Sequence, residues 1–210
     1  MTMLQGSALL HHVAIRILAR YLERQGRGDV RVQRTLLGDA EAVDLTFRDQ
    51  GRTVAVKVKA DSYYGSDPAK VADRTLTYYR PETHSYGFEV IANSATREPG
   101  WVSRSRADQL FYYRFVIAQP EEEVAALAEE PDDVFFAELA VERDDLRILP
   151  MPEMRAWFER TKDRFTPRPV MTDGRPAWYR IAPSEDVEAG VTGLRVVGPV
   201  FATFARGTAR

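Results

Sequence analysis

Residues 43–61 read VDLTFRDQGRTVAVKVKAD, and this stretch predicts a β-hairpin. Apolar residues occupy every second position on both sides of Gly51, which is the period of a half-buried strand. We expect Gln50 and Gly51 to form a two-residue turn, because glycine tolerates the backbone angles that such a turn requires.

The turn length sets which side chains face each other across the hairpin. With a two-residue turn, Asp44 lies directly opposite Lys57, and opposed residues project to one face about 5 Å apart at Cβ. An odd-length loop would place Asp44 among the valines, where an unpaired carboxylate is costly. Lys59 shares the face with Lys57, as does Asp61 if the strand continues that far. The pattern therefore predicts the register.

Periodicity and turn residues outline the rest of the chain. An amphipathic helix is predicted over residues 8–24, because its apolar residues recur at helical spacing and Gly26 and Gly28 follow. The other predicted elements are a strand over 29–36, a helix over 67–79, a buried strand over 86–92, a short helix between Pro120 and Pro131, a helix over 152–165, and strand-like runs over 177–181 and 194–204.

This arrangement resembles the restriction-endonuclease-like nuclease superfamily, whose PD-(D/E)xK core follows an N-terminal helix. That core carries an aspartate on one strand and (Asp/Glu)-x-Lys on the next. Asp44 matches the aspartate and Lys59 the lysine, whereas Lys57 occupies the middle acidic position. The resemblance covers residues 8–118.

A second stretch adds to the resemblance. Several nuclease-like families carry a Gly-Trp pair, then Ser-x-Ala-Asp, then aromatic residues after the core strand. The matching residues here are Gly100 and Trp101, then 105–108, then 111–113. The resemblance implies an α/β fold, with a mixed central sheet flanked by helices on both faces. It places the nuclease-like core in residues 1–118, and residues 119–210 form a less regular C-terminal extension packed on that core.

The resemblance implies a Mg²⁺-dependent or Mn²⁺-dependent endonuclease that hydrolyses DNA phosphodiester bonds. In such sites carboxylates hold the metal, which generates hydroxide and neutralises charge on the phosphate. The expected catalytic set is Asp44, Lys57 and Lys59. Asp44 ligates the metal, and Lys59 positions or polarises the attacking water and stabilises the transition state. Glu89 is the favoured replacement for the missing acid, because a carboxylate is uncommon inside an apolar strand. The resemblance also places the strand over 86–92 beside the lysine-bearing strand. Asp61, and Glu23 on the first helix, follow as candidate ligands.

Lys57 leaves three interpretations open. Another acid replaces the missing ligand and the protein is a nuclease. Alternatively, the site binds no metal but still binds phosphate through two lysines, as a catalytically inactive nucleic-acid-binding module on the same fold. In the third interpretation the chain is a structural or interaction protein, and Asp44 and Lys57 form an ordinary cross-strand ion pair contributing about 0.2–1 kcal/mol.

Residues flanking the hairpin provide candidate contacts to DNA. Basic side chains there would meet the phosphate backbone, and exposed aromatic side chains would stack on bases. The predicted nucleic-acid-binding residues are Lys70, Arg74, Arg97, Trp101, Arg104 and Arg106. The resemblance also allows a homodimer, since many such nucleases dimerise to cut both strands.

Composition excludes several other classes of function. The chain has 210 residues, a formal net charge of −2 and no cysteine, which rules out disulfides, thiolate nucleophiles and cysteine zinc sites. No apolar run approaches the roughly 20 residues that span a bilayer, and no signal-peptide pattern is present. We therefore expect a cytoplasmic protein with no membrane partner.

Overall fold

The computed structural model describes residues 4–33, 43–172 and 174–205. The helices are α1 Gly6–Arg24, α2 Pro68–Ala72, α3 Trp101–Arg104, α4 Glu121–Ala128, α5 Asp132–Glu138, α6 Met151–Thr161, α7 Ser184–Gly190 and α8 Ala202–Ala205, with a 3₁₀ turn at Lys162–Arg164. The strands are β1 Gly28–Val32, β2 Leu45–Asp49, β3 Arg52–Asp61, β4 Tyr63–Gly65, β5 Arg80–Pro81, β6 Ser85–Asn93, β7 Glu98–Pro99, β8 Gln109–Ile117, β9 Val141–Pro150, β10 Pro167–Thr172, β11 Arg175–Pro183 and β12 Arg195–Gly198.

A six-stranded mixed sheet forms the centre of the fold, with strand order β1-β2-β3-β8-β9-β12. Strands β3 and β8 run parallel, and the other neighbouring pairs are antiparallel. Helices pack on both sides of this sheet, so the predicted α/β class with a mixed, helix-flanked sheet is confirmed. Two smaller sheets accompany it: β10-β11-β6-β7 and the short pair β4-β5.

The first core lies between the six-stranded sheet and α1. The predicted apolar stripe of the helix is buried, including Leu10, Val13 and Ile17. These side chains pack against every second residue of the β2–β3 hairpin, among them Leu45 and Val56, both fully buried. The apolar face of the helix, which has a 3.6-residue period, thus packs on the apolar face of the strands, which has a 2-residue period, as the sequence predicts.

The second core lies on the other face of β8 and β9. Leu110, Tyr112 and Leu149 from those strands pack against α6 and against Tyr86 and Phe88 of β6. The four-stranded sheet and α6 therefore cover the β8–β9 half of this face.

The hairpin has the predicted register. Asp49 pairs with Arg52, so the turn is the two residues Gln50 and Gly51, with φ of 50° and 80°. Both values lie in the left-handed region, as the favoured two-residue turn requires. Leu45 pairs with Val56, which sets the preceding Asp44 opposite Lys57.

The expected position of the 86–92 strand is wrong. We expected it beside the lysine-bearing strand, but β6 pairs with β11 and β7 in the four-stranded sheet. The parallel neighbour of β3 is instead β8. Strand β8 is buried along nearly its whole length, so it fits the centre of a sheet covered on both faces.

The helix predicted over 67–79 is much shorter. It ends at Ala72, because the Asp73 carboxylate accepts hydrogen bonds from the backbone N–H and the hydroxyl of Thr75. Such a local side-chain turn competes with helix continuation.

The expectations for the C-terminal part have mixed outcomes. The short helix between Pro120 and Pro131 is α4, and the helix over 152–165 corresponds to α6 and the 3₁₀ turn. The run 194–204 is a strand over only four residues, followed by α8. In the strand expected over 29–36, positions 34–36 lie outside the described residues. Strands from both sides of position 118 share the six-stranded and four-stranded sheets.

Candidate functional site

Asp44 lies just before β2, where it is 1% exposed. Its Oδ2 accepts a 2.6 Å hydrogen bond from the backbone N–H of Val58 and lies 3.3 Å from Lys57 Nζ. Its Oδ1 lies 3.3 Å from His11 Nε2 and 3.4 Å from Lys57 Nζ. Both oxygens of this buried carboxylate are thus engaged by groups of the protein.

The electrostatics of Asp44 follow from these contacts. Burial by itself raises the pKa of a carboxyl group, because it disfavours the charged form. Here the hydrogen bond from His11, the positive charge of Lys57 and the Val58 N–H outweigh burial, so the pKa of Asp44 lies below its ordinary value. Asp44 and Lys57 therefore form an ion pair that is largely withdrawn from solvent, since the Lys57 side chain is only 14% exposed.

Lys59 occupies the same face of β3 as Lys57, two residues further along, and faces the four-stranded sheet. Its Nζ lies 5.6 Å from the centroid of the Tyr179 ring, within the range of a cation–π contact. The Tyr179 hydroxyl donates a 2.9 Å hydrogen bond to Glu89 Oε2. Glu89 therefore reaches the neighbourhood of Lys59 through Tyr179, although the two residues belong to different sheets.

Asp61 extends the same face, since β3 continues to this residue. Its Oδ2 accepts a 3.0 Å hydrogen bond from the Tyr112 hydroxyl, which in turn accepts one from the backbone N–H of Gly87. Burial, with the nearby charge of Asp61, raises the pKa of Tyr112 far above its ordinary value. Tyr112 therefore stays a neutral donor that joins β3 and β8 to the four-stranded sheet.

Glu89 is tied to the start of α3. Its Oε1 accepts a hydrogen bond from the Trp101 backbone N–H at 3.3 Å, and a Cβ on Gly100 would collide with the Glu89 main chain. Glu89 is thus fixed by Tyr179 and α3 rather than by the residues around Asp44.

The predicted metal ligands Asp44, Glu89 and Glu23 are not assembled around one point. Glu23 lies twelve residues after His11 on α1, which is about 18 Å along the helix axis at 1.5 Å per residue. It pairs with Arg20 at the exposed end of the helix. Within residues 4–33, 43–172 and 174–205, no group of three or more histidine, aspartate or glutamate side chains could hold a metal ion. The donor set around Asp44, one carboxylate beside an ammonium, does not fit Mg²⁺.

The residues predicted to contact nucleic acid differ from one another in exposure and in ion pairing. Trp101 is 5% exposed and packs in the second core against Phe88, so the expectation that it stacks on bases is wrong. Lys70 pairs with Glu142, and Arg104 pairs with Glu98. The exposed members of the predicted set are Arg74, Arg97 and Arg106.

Sequence reasoning missed His11. Its adjacency to His12 excludes a chelating pair at helical spacing, and no pattern in the sequence links it to Asp44. The link is tertiary, because α1 crosses the β2–β3 hairpin at the end where Asp44 lies. His12 instead turns toward Ala128, and burial together with the charge of Arg16 lowers its pKa.

No protein-family model, curated protein or solved structure matches this chain. Among the described residues, no helix is both long enough and apolar enough to cross a membrane.

Proposed function

We propose that this chain is a nucleic-acid-binding module on a restriction-endonuclease-like core, and that its Asp44 site works without Mg²⁺. The observation that carries the proposal is the ion pair between Asp44 and Lys57, 3.3 Å apart. A metal ion at Asp44 would have to displace Lys57 and compete with His11 and the Val58 N–H for a buried carboxylate. The ammonium would also repel a divalent cation.

Lys59 is the cation that the proposal assigns to phosphate. Lys57 is neutralised by Asp44, whereas no ion pair joins Lys59 to any of the residues that the structure describes. A phosphate oxygen accepts charge-assisted hydrogen bonds from ammonium groups. The site therefore suits an anion better than a cation.

The order of elements supports the restriction-endonuclease-like part of the proposal. Helix α1 precedes the hairpin that carries Asp44 and Lys59, and β8 runs parallel to the lysine-bearing strand. Strand β8 thereby takes the position beside Lys59 that we expected for 86–92.

A second candidate is the Mg²⁺-dependent DNA endonuclease that the sequence resemblance implies. The observation in its favour is that Glu89 approaches Lys59 through Tyr179, while Asp61 extends the Lys59 face. Those two carboxylates are the acids that a relocated site would use. Among the described residues, no group of three or more histidine, aspartate or glutamate side chains could hold a metal ion, so this candidate stands second.

Plasmid cleavage and gel shift with Mg²⁺ or Mn²⁺ decide between the candidates. The experiment compares the parent with Lys57→Glu, Asp44→Ala and Lys59→Ala. We expect the parent to shift DNA or RNA without cutting it, and Lys59→Ala to weaken the shift. Cleavage by the parent that requires Asp44 and Lys59 would instead establish a nuclease. Four inactive proteins that shift no nucleic acid would overturn both candidates.

A further inference from the structure

On one face of the six-stranded sheet, the half formed by β1, β2 and β3 belongs to neither core. Helix α1 packs on the opposite side of these strands. We call the outward-facing set the open sheet face: Arg31, Thr46, Arg48, Thr53, Ala55, Lys57, Lys59 and Asp61. Each of these residues is exposed or half-buried, whereas the valines that alternate with them on β3 are buried.

Charge on the open sheet face is predominantly positive. It carries four cations and one carboxylate, that of Asp61. Among the cations, Arg31 pairs with Asp29 at 2.8 Å and Lys57 pairs with Asp44. Asp44 is almost completely shielded from solvent, so an approaching ligand meets the cations first. Arg48 is exposed and Lys59 is half-buried, and neither forms an ion pair with any residue that the structure describes. The whole chain has a net charge of −2, so the excess of positive charge is local to this face.

An exposed aromatic residue lies where the open sheet face ends. Tyr63 follows the last residue of β3 by two positions and is 48% exposed. Its backbone N–H donates to Asp61, which fixes the start of β4 relative to β3. A ring in this position can stack on a base only if the base is not already stacked within a duplex.

We propose that the open sheet face binds single-stranded nucleic acid without sequence preference. Arg31, Arg48 and Lys59 contact the phosphate backbone, and Tyr63 stacks on a base. This inference rests on the proposed function and specifies its partner. Sequence independence follows from the side chains between the cations, which are Thr46, Thr53 and Ala55 and offer few groups for reading base edges.

Fluorescence anisotropy on the full chain tests the inference, using a labelled oligothymidylate of about 16 nucleotides and a hairpin duplex of matched length. The variants are Arg48→Ala, Tyr63→Ala and Tyr63→Phe. The matched control is Arg160→Ala, because Arg160 is an exposed arginine on α6, away from β1–β3. Thermal unfolding of each protein establishes that the fold is retained.

We expect the single strand to bind more tightly than the duplex. Tyr63→Ala should weaken binding roughly tenfold, whereas Tyr63→Phe should not. Arg48→Ala should reduce the slope of log K against log salt by about 0.7, the value for one phosphate contact on a single strand. Arg160→Ala should change neither quantity.

Three other outcomes overturn the inference and can be told apart. If the parent binds neither probe at low salt, the proposed function fails and the inference fails with it. If the parent binds, but Arg48→Ala and Tyr63→Ala behave like Arg160→Ala, binding occurs elsewhere and only the inference fails. A duplex preference that is insensitive to Tyr63 also rejects the single-stranded partner.

Discussion

Lys57 Nζ lies 3.3 Å from Asp44 Oδ2, in a position where the aspartate side chain has almost no contact with solvent. The lysine stands at the middle position of the PD-(D/E)xK pattern that the sequence resembles, and it neutralises Asp44. A buried charge that loses its partner is costly, because burial removes the water that would otherwise solvate it.

Removing Lys57 should therefore destabilise the protein. We expect Lys57→Ala to lower the free energy of unfolding by about 3 kcal/mol, since Asp44 is left buried with only two hydrogen-bond donors. Urea denaturation measures the loss. In the double variant Asp44→Asn/Lys57→Ala, part of the stability should return because no buried charge remains.

The control for Lys57→Ala is Arg52→Ala. Arg52 also pairs with an aspartate, Asp108, but its side chain is 72% exposed. Exposed ion pairs contribute at most about 1 kcal/mol to stability, so Arg52→Ala should lower the free energy of unfolding only slightly. Equal losses in Lys57→Ala and Arg52→Ala would contradict the buried-pair interpretation.

Asp44 should also make stability depend on pH. Its pKa in the folded protein is below the ordinary value of 3.8, so folding favours the ionised form. The resulting stabilisation is complete above the unfolded-state pKa and is lost as pH falls through the folded-state pKa. Unfolding of the parent and Asp44→Asn, followed from about pH 7 to about pH 2, should show a difference that shrinks only at the acidic end. A difference that is constant over this range would refute the assignment.

Asp144 should be a second position at which substitution strongly destabilises the protein. This carboxylate is 7% exposed, and its Oδ2 accepts hydrogen bonds from the Tyr113 hydroxyl and from the backbone N–H groups of Val200 and Phe201. Asp144→Ala leaves three donors without their acceptor, so we expect a loss of about 3 kcal/mol in thermal or urea unfolding. Asp186→Ala, which removes only a partly exposed pair with Arg164, should lose less than about 1 kcal/mol.

Gly100 should not tolerate a side chain. A Cβ at this position would overlap the Glu89 main chain, and relieving the overlap requires α3 to move away from β6. We expect Gly100→Ala to cost about 2 kcal/mol, a typical penalty for overpacking. The control is Gly28→Ala, where the added Cβ meets only Arg48 Cβ at 3.7 Å. Calorimetry should show no loss there, because alanine restricts the unfolded chain more than glycine does.

The hairpin could be predicted from the sequence because its signals are local. The valine alternation and Gly51 specify the strands, the turn and the register, and the structure has that register. By contrast, β6 and β8 are both short apolar runs, and nothing within either run identifies its neighbour. The partner of β3 is chosen by packing between distant segments, so the sequence does not reveal that 86–92 belongs to the four-stranded sheet.

The same distinction applies to the candidate site. Asp44, Lys57 and Lys59 share one hairpin, so their relative positions follow from the register. His11 and Tyr179 reach the site from α1 and β11, more than thirty residues from the hairpin lysines in one direction and more than a hundred in the other. Contacts of this kind leave no periodic trace in the sequence.

Strand β8 belongs to both cores: Phe111, Tyr113 and Phe115 point into one, and Leu110 and Tyr112 into the other. Neither core can therefore open without exposing a strand that the other requires. Heat or denaturant should unfold the two cores in a single cooperative transition, in spite of the separate sheets. A chain cut after residue 118 would lose β9 and leave β8 as an unprotected apolar edge, which is a template for aggregation rather than a smaller folded protein.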